Sequence, residues 1–178
     1  MLVALIGVAE AGTLPTRRQV IATFDRYVEL NNTFLAAAKS GQGQSGKSYT
    51  ELRGEVETYA EGPYNEALVS ARDLICKGAD AELLRRLFNV VLVTSNSASE
   101  APAWTLGRIF LCRPGLVQSE FKRLPDKDQR ALYGKIEFGF ENVIYGKPEG
   151  DQRVARLRTR LRTMAPRASD DALRKELE

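Results

Sequence analysis

The feature that most constrains this chain is the spacing of its apolar residues, which recur every three or four positions from residue 16 onward and so select helices over strands. Thr16-Arg17-Arg18-Gln19 forms a capping box, and Val20, Phe24, Val28, Leu35 and Ala38 follow at helical spacing, which predicts a long first helix. Ser48-Tyr49-Thr50-Glu51 is a second capping box, opening a helix through Leu52, Val56 and Tyr59 that is expected to stop at Gly62. Pro63 suits a first helical position, and Tyr64, Ala67, Leu68, Ala71, Leu74 and Ile75 trace one face until Gly78. Asp80 caps the next helix, whose face holds Leu83, Leu84, Leu87, Phe88, Val91 and Leu92; Val90 to Val93 is the one segment that also suits a short buried strand.

Beyond the polar segment Thr94 to Ser99, the pattern predicts helices over Pro102–Cys112, from Pro114 through Leu124, from Asp126 to Gly146 and from Asp151 to Met164. Ser169 then caps a last turn ending at Leu177. The expectation is an all-α, single-domain array or bundle of about eight helices over residues 16–178. Residues 1–15 form a separate N-terminal segment, in which the apolar run Leu2 to Ala9 precedes Ala9-Glu10-Ala11, a small-x-small pattern without a basic region before it. It reads either as the remnant of an export signal or as an element docking on the core, and it is too short to span a bilayer.

Composition narrows the chemistry. The sequence has no histidine, which removes the commonest general base and metal ligand, and two cysteines cannot build a structural zinc site. Cys76 and Cys112 are either buried small hydrophobes, the favoured reading, or a disulfide pair whose closed loop contributes about 4 kcal/mol. With 26 Lys and Arg against 23 Asp and Glu, the net charge does not itself imply a polyanionic partner. Consecutive helices with short Gly or Pro turns over Pro63 to Gly146 resemble HEAT-like helical arrays, which implies a protein-binding role; the resemblance is one of architecture, without a motif. Size and texture are similar to those of small helical inhibitor and immunity proteins.

Gly41-Gln42-Gly43-Gln44-Ser45-Gly46-Lys47-Ser48 matches the formula of the P-loop and resembles the Walker A loop of nucleotide-hydrolysing enzymes. That resemblance implies phosphates held by Gly41, Gly46 and Lys47, with Ser48 on magnesium. A P-loop leaves a buried strand, however, and Phe34 to Ser40 is Ala-rich and helical, while no apolar strand ending in Asp supplies a second acid. The segment therefore reads as a Gly/Ser/Gln loop beside a Ser-capped helix, with nucleotide binding as the alternative and no cofactor or metal expected.

Glu137 and Glu141, like Glu51 and Glu55, are carboxylates four apart on solvated faces, which offers no desolvation for acid–base work. Arg153, Arg156, Arg158, Arg160, Arg162 and Arg167 form the one clear charge cluster; the favoured reading is a solvated helix paired with nearby acids, the alternative a surface for phosphates, anionic lipid or an acidic protein, with single-stranded nucleic acid disfavoured by the lack of interleaved aromatics. Phe138 and Tyr145 lie off the main stripe of their helix; either that helix is buried between two layers, the favoured reading, or the pair forms a partner or homodimer surface. Trp104 and Arg108 share a helical face and are types enriched in binding hot spots. The expected function is a non-enzymatic protein-interaction module using Trp104, Arg108, Phe138, Tyr145, Arg156 and Arg160, with a P-loop enzyme or an anionic-surface binder as alternatives. Its compartment is left open between exported and cytoplasmic.

Overall fold

A computed structural model describes residues 14–40, 46–94, 99–146 and 151–165. Eight α-helical stretches account for nearly all of them, and no strand occurs among the described residues: α1 (Arg17–Ser40), α2 (Tyr49–Tyr59), α3 (Asn65–Gly78), α4 (Ala81–Val93), α5 (Ala101–Cys112), α6 (Pro114–Phe121), α7 (Asp126–Ile144) and α8 (Gln152–Arg162). The all-α expectation holds, and Val90 to Val93 is helical. The N-terminal apolar run, the small-x-small site and the turn capped by Ser169 lie outside the described residues.

The caps form as their sequences require. Ser48 and Glu51 satisfy each other's backbone donors at the start of α2, Asp80 accepts from the Leu83 N–H at α4, and Asp151 accepts from Arg153 and Val154 at α8. Arg17 forks onto Asp80 and Glu82, both at 2.6 Å, which joins the first turn of α1 to the first turn of α4 and holds the Asp80 carboxyl below its usual range.

One helix end differs from the sequence reading. Instead of stopping at Gly62, the chain continues through a π turn, Ala60–Tyr64, directly into α3. Pro63 has no N–H to donate and its ring crowds the carbonyl one turn back, so a wider turn relieves both demands without ending the helix. Tyr64 is thereby turned into the core, stacked on Tyr27 at 4.1 Å and edge-on to Phe24. At the other end of α3 the left-handed cap is Ala79, with φ of 54°, rather than Gly78.

Alternate helices α1, α3, α5 and α7 pack in a row, while α4 reaches α1 at one side and α7 at the other, so a single hydrophobic cluster runs from Val20 to Met164. In α1 the inward stripe is Val20, Phe24, Tyr27, Leu30 and Ala37, and Ala38 points outward. The sandwiched helix is α5, not α7: Pro102, Ala103, Thr105, Leu106, Gly107, Ile109 and Phe110 are all buried. It meets α7 at a crossing where backbone lies against backbone, at Gly107 and Gly139. A methyl group on Gly107 would overlap the Gly139 backbone, and one on Gly139 would overlap the Ala103 carbonyl. Phe110 and Phe140 close the same interface edge to face at 5.3 Å.

Cys76 and Cys112 are joined, with Cα atoms 5.7 Å apart, which corrects the favoured reading of two buried thiols. Helical spacing alone could not reveal that the last turns of α3 and α5 lie side by side. Arg113 reinforces the junction by donating to the carbonyls of Cys76 at 2.7 Å and Lys77 at 3.0 Å, the unsatisfied end of α3.

Two stability outcomes follow from this packing. Gly107→Ala and Gly139→Ala should each lower stability by about 3 kcal/mol through backbone overlap, whereas Gly54→Ala, facing open space on α2, should raise it by about 0.8 kcal/mol. Urea denaturation of the three variants compares them directly. Replacing Cys76 and Cys112 together by Ala should cost about 4 kcal/mol, because a bond closing 36 positions of chain no longer limits the unfolded ensemble; a midpoint equal to that of the oxidised protein would contradict the pairing.

Candidate functional site

The residues singled out from the sequence separate into three surfaces. On the first, α5 turns two of its outward positions, Trp104 and Arg108, toward the exposed side of α3. A shallow depression of about 170 Å³ lies between the helices, bordered by Leu68, Val69, Arg72, Trp104 and Arg108. Trp104 is 43% exposed and Val69 40%, so an apolar ridge stands on each lip. Arg72 pairs with Asp73 at 2.6 Å, whereas Arg108 has no ion pair among the described residues. Val69 and Arg72 escaped the sequence reading because they lie outside the buried stripe of α3, and only the approach of α5 gives them neighbours.

On the second surface, Phe138 is 42% and Tyr145 91% exposed, so the favoured expectation of burial between layers is overturned. Helix α7 packs on α5 through Gly139 and also meets α4 and α8, but Phe138 and Tyr145 lie outside those contacts. Tyr145 also departs from helical geometry, since α7 ends at Ile144 and Gly146 takes a φ of +77°.

The third surface is α8, which buries Val154, Leu157 and Leu161, with Met164 buried in the turn after it, and carries arginines along both flanks. Several are occupied. Arg158 holds Glu141 in a two-pronged pair at 3.0 and 2.8 Å, Arg160 donates to Gln118 at 2.9 Å, and Arg153 reaches the Leu111 carbonyl at the end of α5. Arg156 and Arg162 make no ion pair or hydrogen bond through their side chains among the described residues, and Arg167 lies outside them. Glu141 is thus an acid paired with the arginine helix, as the favoured reading of that cluster expects for Arg158, and Glu137 accepts from the Tyr133 hydroxyl at 3.1 Å.

Of the P-loop-like segment, Gly41 through Ser45 lie outside the described residues, while Gly46, Lys47 and Ser48 are placed. The residues before it are the last turns of α1. Lys47 pairs with Glu55, and Ser48 caps α2. The Glu51 carboxylate accepts from the Ser48 N–H at 2.7 Å and its hydroxyl at 2.8 Å, which occupies donors a phosphate would need and draws the Glu51 carboxyl below its ordinary range. The neighbouring cleft, about 670 Å³ between α1 and α2, is lined by Arg26, Lys47, Glu51 and Glu55, so its charges are matched internally.

A second cleft, about 560 Å³, lies on the other side of α2 and was not foreseen. Tyr27, Phe34, Tyr49 and Val56 line it, together with Glu61 and Asn65 from the π turn and the start of α3. Pro63 was the only sequence signal of it. Elsewhere, Glu120 is a carboxylate buried on α6, with Arg123 at 3.0 Å and Arg85 at 3.6 Å. No group of three or more potential metal ligands occurs among the described residues, and no described helix is long and apolar enough to cross a membrane. In comparisons with known proteins, no family model, no curated protein and no solved structure matches this chain.

The Glu51 cap has a signed pH dependence. Because its folded value is lowered, its contribution is complete above the ordinary glutamate value of about 4.3 and is lost as pH falls through the folded value. Glu51→Ala should therefore be less stable than the parent protein at neutral pH, with the gap closing on acidification to about pH 3. Urea midpoints of both proteins across that range check it.

Proposed function

We propose that this chain is a non-enzymatic protein-interaction module whose docking surface is the α3–α5 depression at Trp104, and that its partner presents an acidic segment with an apolar anchor. The observation that carries this reading is a half-exposed tryptophan and, one turn on, an arginine with no ion pair among the described residues, both on the α5 side of one small recess. Trp and Arg are enriched in binding hot spots because each offers a large desolvated contact area with a directional donor. An apolar partner side chain fits between Val69 and Trp104, while a partner carboxylate gains a charge-assisted bond from Arg108.

The alternatives have less support. Lys47 and Ser48 are engaged with Glu55 and Glu51, which argues against a nucleotide site at 41–48. Most arginines of α8 are tied to Glu141, Gln118 or a carbonyl, which leaves Arg156 and Arg162 for an acidic or phosphate-bearing partner and makes nucleic acid the weaker ligand. Phe138 and Tyr145 suit a homodimer face through their exposure. The Cys76–Cys112 bond favours an oxidising compartment, in line with the exported reading of the N-terminal segment.

Co-purification from the native source provides the test. Trp104→Ala and Arg108→Glu should each weaken capture of a stoichiometric partner by about 30-fold, equivalent to about 2 kcal/mol, with unchanged circular dichroism. Added salt should slow association where Arg108 is present and have less effect in the Arg108→Glu protein. A partner held equally well by both variants would move the docking surface elsewhere and leave α7 or α8 as its site.

A further inference from the structure

Helix α7 exposes a strip that its own fold does not use. Three turns of an α-helix are about eleven residues, so Lys127 lies under Phe138 and Gly134 under Tyr145 on the side away from the buried stripe Leu132, Ile136 and Phe140, and all four strip residues are exposed. Gly134 has no intramolecular reason to be glycine. It stands inside the helix, a Cβ there would meet open space, and glycine is the least favourable residue for a helix interior after proline. The missing side chain leaves a notch beside Phe138, where a second helix can approach closely.

The strip is self-complementary about Ile136. Gly134 and Phe138 stand two positions to either side of it, Lys127 and Tyr145 nine, and Arg130 and Glu141 six before and five after. Each couple joins unlike groups: a notch and a ring, a cation and an aromatic face, a guanidinium and a carboxylate. Arg130 and Glu141 are also three turns apart and so share one flank of the strip. Arg130 has no ion pair among the described residues, and Glu141, though held by Arg158 at 2.8 Å, keeps 44% of its side chain exposed and has lone pairs for another donor. A twofold axis crossing α7 at Ile136 sets each residue against its mirror position in the other copy, so every couple is made twice. Parallel pairing would instead set Arg130 on Arg130 and Glu141 on Glu141, a like-charge arrangement that costs affinity.

We propose that α7 pairs antiparallel with α7 of a second copy of this chain, forming a twofold dimer. Phe138 seats on the partner's Gly134, Arg130 pairs with the partner's Glu141, and Lys127 lies over the ring of the partner's Tyr145. Lys135, half-buried on the opposite flank, comes near its own symmetry mate, and its flexible stem carries the charge out to solvent. The strip is about 27 Å long and one helix wide, less than the about 800 Å² per partner of a standard interface, so the dimer is weak, with a Kd on the order of 100 μM. It uses a different helix from the α3–α5 depression, so neither proposal rests on the other.

Sedimentation equilibrium of the intact oxidised protein, from about 10 μM to about 1 mM, tests the proposal. A reversible monomer–dimer equilibrium is expected, and Phe138→Ala should weaken it by about tenfold or more, equivalent to about 1.4 kcal/mol. Charge reversal reads the register. Arg130→Glu and Glu141→Arg should each weaken self-association by about tenfold, because two like-charge contacts replace two ion pairs. An equimolar mixture of these two variants should dimerise about as well as the parent protein, since in the mixed pair both contacts are again between opposite charges. A monomer throughout that range would overturn the proposal and leave the strip to a partner of another kind. A dimer undiminished by Phe138→Ala, or a mixture no more associated than its components, would overturn it as well.

Discussion

The crossing of α5 and α7 at Gly107 and Gly139 sets the geometry of the rest of the molecule. Two helices ordinarily keep their axes about 8–10 Å apart because side chains stand between them. Here backbone meets backbone, so α7 lies against α5 along a broad interface and Phe110 can pack on Phe140. With α7 on one side and α3 on the other, α5 has to be apolar nearly all round, as its residues are. Only Trp104 and Arg108, together with the end of the helix at Cys112, are left facing solvent.

That burial gives the candidate surfaces their locations. The residues α5 leaves exposed meet α3 at Val69 and Arg72, and the same two helices are locked at their ends by Cys76–Cys112 and by Arg113 on the α3 carbonyls. The disulfide lies two helical turns beyond Val69 and Trp104, so it holds apart or together the helices that frame the depression. The arginine helix serves a related structural purpose: Arg153 closes the carboxyl end of α5, and Arg158 and Arg160 attach α8 to α7 and α6. The cluster, whose favoured reading from sequence is a solvated face paired with nearby acids, is for the most part a set of capping and joining bonds, of which one, Arg158 to Glu141, is to an acid.

Candidate chemistry was legible to differing degrees. Trp104 and Arg108 stood out by residue type and by their shared face, and the structure brings them to one recess. Phe138 and Tyr145 were noticed for the right reason, their deviation from the buried stripe, but the layer expected to cover them is absent from the described residues. The aromatic cleft was invisible because its parts are spread from Tyr27 to Asn65 and each looks like ordinary core or ordinary helix surface. Its one local signal, Pro63 after Gly62, suggests a helix break, and the chain instead widens a turn.

By itself the sequence determined the helices: apolar spacing specified their faces, capping boxes their starts, and Pro and Gly most of their ends, because these preferences act over one or two turns of chain. Which helices meet was decided only in three dimensions. Nothing local in Gly107 or Gly139 distinguishes a residue required by backbone contact from one, such as Gly134, that faces open space. Likewise Cys76 and Cys112 become a bond, and Glu141 a partner for Arg158, only once α3, α5, α7 and α8 are side by side. Contacts between distant segments depend on the packing of whole helices, and that information is held by no single stretch of residues.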